Sequence, residues 1–191
     1  MLKDLVLSNR SYRGFDESYQ VQREELEDMV EHARLCPSSV NRQPLTYYLA
    51  YDNTIVRKIQ PLTQWAKALQ IQLPHQGHHP TAFIIICQDT AISSSLEAFS
   101  RDVGIVAQTI LLRATEMNLG GCMIGSFDKQ KLHDVLQLPE HILPRLTIAI
   151  GKPDETIRLE EATGADTTYH RDENDIHYVP KRKLSDIIIN K

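Results

Sequence analysis

The sequence predicts an α+β fold: a sheet with helices packed against it. Three observations carry this. Apolar residues recur at helical spacing over residues 22–35. Over residues 96–118 they cover most of a helix circumference, as in a buried helix. Residues 81–87, with Ala82-Phe83-Ile84-Ile85-Ile86 at their heart, form a short continuous apolar run, the pattern of a strand covered on both faces, and residues 146–151 read as a second buried strand.

Taken in order, Leu2, Leu5, Val6 and Leu7 predict a short opening helix. The helix over residues 22–35 carries Leu26, Met29, Val30 and Ala33 on one stripe, a core or partner face. Glu24 and Glu25 suit its N-terminal dipole, and Pro37 disfavours helix in the residue before it. Residues 45–51, rich in tyrosine and leucine, read as a buried strand, and residues 53–60 as a short helix stopped near Pro61. Gly104 lies inside the helix over residues 96–118. A helical glycine costs about 1 kcal/mol against alanine, and close helix packing is the expected reason for it. Asn118-Leu119-Gly120-Gly121 gives a left-handed cap signal, followed by a strand and turn over residues 122–126. Residues 129–136 read as a helix, and 146–151 as a buried strand ended by a turn at Lys152-Pro153. The polar residues 160–175 read as an arm over the surface, and 185–190 as a last short strand or helical turn.

The 191 residues suit one domain, residues 1–191, with a full core. A net charge of -4 argues against a nucleic-acid partner held by bulk charge. No apolar run approaches a membrane span, and the N-terminus carries Asp4 without the long apolar core of a signal peptide. Cys36, Cys87 and Cys122 are odd in number, far apart and not in a C-x-x-C pair, so free thiols in a reducing cytoplasm are expected.

Four stretches can carry chemistry. Between the first long helix and the following strand lie Pro37, Ser38, Ser39, Asn41, Gln43 and Pro44, a loop dense in groups that both donate and accept hydrogen bonds. It is either a connection that satisfies its own backbone or a cradle for a planar polar ligand. Arg10, Ser11 and Arg13 form a tight segment whose guanidinium and hydroxyl groups suit phosphate, if the arginines are not simply solvated. Lys181, Arg182 and Lys183 form a run of three cations, which by itself reads as a solvated face. His75, His78 and His79 have no acid or cysteine among them and fit no standard metal spacing, so a surface loop without metal is expected.

P-S-S-x-N-x-Q-P over residues 37–44 resembles the signature loop of the nitroreductase family of flavin enzymes. Three more motifs follow the family's order: R-S-x-R-x-F at residues 10–15, L-G-G-C-M-I-G-S-F at 119–127 and the C-terminal basic cluster. Asn9, where the family often has a basic residue, and Leu45, where it commonly has tryptophan, depart from the pattern. The resemblance implies a central, mostly antiparallel sheet flanked by helices, formed as an intertwined homodimer around the helix over residues 96–118. It implies FMN at the dimer interface, with NADPH or NADH as electron donor. Arg10, Ser11, Arg13, Lys181 and Arg182 would hold the phosphate and ribityl chain. Pro37, Ser38, Ser39, Asn41 and Gln43 of the other subunit would meet the ring edge or ribityl chain. Met123, Ile124 and Gly125 would pack beside the isoalloxazine, although locally they fit a helix cap and core strand as well. The family often sets an amide or lysine near the ring from the region of Gln64, Trp65 and Lys67, without a match close enough here to choose one. Few residues separate the strand over 81–87 from the next helix, where larger members carry an insertion, so a more open pocket is expected.

The activity implied is ping-pong hydride transfer from NAD(P)H to a small electron-poor acceptor such as a nitroaromatic or quinone. No side chain is required as a catalytic acid or base. Two alternatives stay open: another flavin reaction on the same fold (reductive dehalogenation or flavin breakdown), or a non-catalytic dimeric flavin-binding protein.

Overall fold

The computed structural model describes every residue except 67, 68, 70 and 191. Helix α1 (Leu2–Ser8) precedes α2 (Arg23–Arg34), β1 (Leu45–Ala50), α3 (Asn53–Ile59) and β2 (Ala82–Asp89). Then come α4 (Ser100–Glu116), β3 (Gly120–Ile124), α5 (Lys129–Leu136) and β4 (Ile142–Gly151). The four strands form one antiparallel sheet in the order β1-β2-β4-β3. The α+β class with a helix-flanked antiparallel sheet is the architecture observed.

Strand alternation sorts the side chains of β2 onto two cores. Ile84 and Ile86 pack with Ile148 and Ile150 under Leu26, Met29, Val106 and Ile110 of α2 and α4. Phe83, Ile85 and Cys87 pack on the other face with Ile59 of α3 and Leu132 and Leu136 of α5. Burial of each large aliphatic side chain contributes about 1.5–3 kcal/mol. The continuous apolar run of β2 thus reflects its central, doubly covered place.

Several expectations change. The strand over residues 45–50 is an edge, half-buried except for Ala50, because among the described residues only β2 pairs with it. Helix α4 has an open side: Arg101, Gly104, Ile105 and Gln108 are exposed. A Cβ on Gly104 would meet nothing within 4 Å, so packing inside this chain does not explain that glycine. The left-handed cap expected over residues 118–121 does form, at Asn118 (φ 60). The N–H of Leu119 reaches the carbonyl of Ala114 at 2.8 Å and that of Asn118 the carbonyl of Thr115 at 3.0 Å, a Schellman closure. Gly121 is required for a different reason: a Cβ there would lie 2.2 Å from the carbonyl oxygen of Ala149.

The polar C-terminal region is more ordered than an arm. Strands β5 (Ile157–Glu161), β6 (His170–Arg171) and β7 (His177–Lys181) form a second sheet in the order β5-β7-β6, followed by helix α6 (Leu184–Ile187). A buried pair, Arg171 of the edge strand β6 with Glu155 just before β5, braces it, with side chains 6% and 4% exposed. Glu155 also accepts from the backbone N–H of Arg13. This charge network ties the second sheet to the N-terminal segment, which itself runs along the main sheet: Tyr12 N–H donates to Gly121 at 3.0 Å and Asp16 N–H to Lys152 at 2.9 Å.

Candidate functional site

The N-terminal segment, α4, β3 and the second sheet meet around a cavity of about 390 Å³. Arg10, Ser11, Arg13, Met123, His177 and Lys181 line it, with Gln108, Leu111 and Tyr169. None of its lining residues is acidic, although the chain as a whole is. Five of the residues expected from sequence therefore come together from three distant stretches. Strand alternation explains why Ile124 does not: Met123 faces the cavity while Ile124 is buried in the opposite core. Arg182 is also elsewhere, with its guanidinium on the carbonyl of Asp186.

Arg10 donates to the carbonyl of Val6, and its enclosed Nε has no partner among the described residues. Burial lowers its pKa, with Tyr12 opposing that shift. Arg13 donates from Nη1 to the carbonyl of Ser11 at 3.1 Å and contacts His177 Nδ1 at 3.3 Å. Its guanidinium lies 5.6 Å from the centre of the Tyr169 ring. His177 is 1% exposed, and burial together with Arg13 and Arg171 drives its pKa down to about 4. The ring is therefore neutral at physiological pH. Its Nε2 is enclosed without a partner among the described residues.

The loop after α2 lies apart from this cavity and lines a smaller one of about 130 Å³ through Pro37, Ser38 and Gln43. Its serines turn inward. Ser38 Oγ donates to Asp102 at 2.6 Å, and Ser39 donates from its N–H and hydroxyl at 2.9 Å each. Asp102 is buried in the first turn of α4. Burial raises its pKa, but the serine hydrogen bonds outweigh that and hold it below the usual carboxylate value. The other half of the loop is exposed and strained. Val40, Asn41 and Gln43 have φ of 46°, 53° and 51°, and Val40 is 92% exposed. Left-handed backbone costs of order 1–3 kcal/mol at a non-glycine residue, and such strain clusters at ligand sites.

At the end of β3, Gly125 is exposed, and a Cβ on it would meet nothing within 4 Å. Beside it Gln64 accepts from Ser126 Oγ at 2.9 Å, which fixes an amide near that strand end. Trp65 is buried, with its indole N–H on Thr63 Oγ1 at 2.8 Å, and Lys67 lies outside the described residues. The three loop histidines each meet a different carboxylate: His75 with Asp175, His78 with Asp154 and His79 with Glu17. No metal-binding cluster of His, Cys, Asp and Glu occurs among the described residues. Burial pushes the thiols of Cys87 and Cys122 up to about 12 and about 11, which makes them poor nucleophiles at neutral pH.

Sequence reasoning missed Asp102, Tyr169 and His177. The first is one acid within a helix and the others lie in a polar stretch with no periodicity, so only the tertiary fold reveals their partners.

FMN brings a phosphate, a polyol chain and a flat ring. The unpartnered Nε of Arg10, with Arg13 and Lys181 beside it, fits the phosphate, and the open backbone at Gly125 fits the approach of a ring. Together these features define an α+β protein with a cationic, cofactor-sized cavity. The chain belongs to the Nitroreductase family, whose model matches residues 6–152. It is 25% identical over 187 residues to the FMN reductase (NADPH) of Bacillus subtilis, covering 87% of this chain and 72% of that one. It is 27% identical over 183 residues to the oxygen-insensitive NADPH nitroreductase of Helicobacter pylori, covering 78% and 86%. Its fold matches a protein from Exiguobacterium sibiricum, solved in complex with FMN, with a TM-score of 0.69 at 18% identity, covering 81% and 89%. Among the described residues no helix is long and apolar enough to cross a membrane.

Proposed function

We propose that this protein is an FMN-dependent NAD(P)H oxidoreductase that reduces small electron-poor acceptors, such as nitroaromatics or quinones, in two half-reactions. The observation that carries the proposal is the acid-free cavity lined by Arg10, Ser11, Arg13 and Lys181 in a nitroreductase-family fold. The names of the Bacillus and Helicobacter relatives, with their NADPH, FMN and nitroreductase activities, support the same chemistry.

Bound FMN supplies reversible hydride acceptance, which no side chain of this chain can provide. The protein's part is position. Arg10, Ser11, Arg13 and Lys181 hold the phosphate end, while Arg182 donates to the carbonyl of Asp186 away from the cavity. Met123 packs against the cofactor, and the backbone of Ile124 and Gly125 leaves room for the ring. Asn41 and Gln43 offer amides to the ring edge or ribityl chain from a loop that Pro37, Ser38 and Ser39 anchor on Asp102.

The loop and the cationic cavity lie apart in one chain, which supports a homodimer that joins them across subunits. The open side of α4, with Ile105 42% exposed beside Gly104, is the proposed centre of that contact. Residues 1–191 form one FMN-binding domain, and the free cysteines suit the cytoplasm. Initial rates of the FMN-loaded protein test the reading: parallel double-reciprocal lines for donor and acceptor are expected, and intersecting lines overturn the two-step scheme.

A further inference from the structure

We propose that His177 is a positioning residue for Arg13: its neutral ring accepts from the guanidinium and fixes it at the wall of the cavity where the cofactor's anionic end is held. The inference rests on the FMN reading above.

The geometry requires one tautomer. A guanidinium can only donate, so the nitrogen 3.3 Å from Arg13 Nη1 must carry the lone pair. That nitrogen is Nδ1, and the ring proton then sits on Nε2. The surroundings keep the ring in this form. Arg13 and Arg171 flank it, His170 adds a further basic group, and Tyr169 packs at 5.4 Å between ring centres. Asp175 is the acid of that set, and it already pairs with Arg171 at 2.9 Å and His75 at 3.3 Å. An imidazolium here would face two guanidinium groups and lose the hydrogen bond from Arg13.

Arg13 is thus held at three points: its backbone by Glu155, its cationic plane by Tyr169 and Nη1 by His177 and the carbonyl of Ser11. Both hydrogen bonds from the guanidinium leave from Nη1, which sets the direction of the rest of the group. Glu155, Tyr169, Arg171 and His177 all lie beyond residue 152, where the match to the family model ends, whereas Arg13 lies inside it. The second sheet therefore gives this chain its own device for orienting a cation in the family-matched segment. A fixed guanidinium binds an anion with less loss of side-chain freedom than a mobile one.

The test compares FMN with riboflavin, which lacks the phosphate, binding to flavin-free protein at neutral pH by fluorescence quenching. His177→Phe keeps a ring against Tyr169 but has no acceptor. It is expected to weaken FMN about tenfold while riboflavin is unchanged. His177→Gln, which restores an acceptor, recovers much of the loss, and in an Arg13→Ala background His177→Phe has no further effect. Equal weakening of FMN and riboflavin, or additive effects of the two substitutions, overturns the positioning role. Wild-type protein that binds neither flavin overturns the FMN reading itself, a distinct result. Nitrogen NMR of the wild type does not depend on any variant folding: a bare Nδ1 and protonated Nε2 are expected, and the opposite tautomer or an imidazolium at neutral pH contradicts the proposal.

Discussion

The Ser38 hydroxyl donates to the Asp102 carboxylate across 2.6 Å and joins the loop after α2 to the first turn of α4. With both donors of Ser39 added, one buried carboxylate holds the inner half of a loop whose outer half is strained. Asp102→Ala leaves three donors without their acceptor and is expected to destabilise the protein by about 3 kcal/mol, with Asp102→Asn intermediate. Chemical denaturation measures this, and an unchanged midpoint contradicts it. Because the folded pKa of Asp102 lies below its unfolded value of 3.8, this stabilisation is present above that pH and lost as pH falls through the folded value.

Arg10 and Arg13 both line the cationic cavity, and neither side chain takes part in the main apolar cores. The double substitution Arg10→Ala with Arg13→Ala is expected to purify folded but free of flavin. The flavin absorbance of the protein, with circular dichroism as the control for folding, decides the matter. A full complement of FMN in the double variant refutes the phosphate assignment.

Ile105 is 42% exposed on the open side of α4, next to Gly104, where an added Cβ would meet nothing within 4 Å among the described residues. A charge there should split a dimer that packs these helices together. Ile105→Asp is expected to sediment as a monomer and to bind FMN at least tenfold more weakly, since each site then lacks the partner's loop. A variant that stays dimeric with full FMN affinity places the interface elsewhere.

His177 makes stability depend on pH in a defined window. Burial and the neighbouring Arg13 and Arg171 lower its folded pKa to about 4 from 6.5, while Asp175 opposes them and His170 adds to them. Between those values the unfolded chain takes up a proton that the folded chain refuses. Stability therefore rises with pH from about 4 to 6.5 and is flat above, a total of up to about 3 kcal/mol from this residue. Denaturation of wild type and His177→Gln across that window isolates the contribution. The same slope in both proteins assigns it to other groups.

The main sheet and its helices were legible because β2, β4, α2 and α4 bury continuous or periodic apolar residues, and a repeating pattern survives in one dimension. The fate of single polar residues was not. Ser38 and Ser39 have the same composition whether they face a ligand or Asp102, and only the packing of α4 decides. The second sheet was hidden for a related reason: charge pairs such as Arg171 with Glu155, rather than an apolar pattern, hold it together. Arg10, Ser11, Arg13, Met123 and Lys181, singled out by the order of motifs, line one cavity, whereas His177 and Tyr169 line it without belonging to any motif.

The most direct measurement is the visible spectrum of the FMN-loaded protein under anaerobic conditions, before and after NADH and then NADPH. Bleaching of the flavin bands by at least one donor, with recovery on adding a nitroaromatic or quinone, is the predicted result. Bands that persist unchanged with both donors would contradict the reductase account and leave a protein that holds FMN without using it.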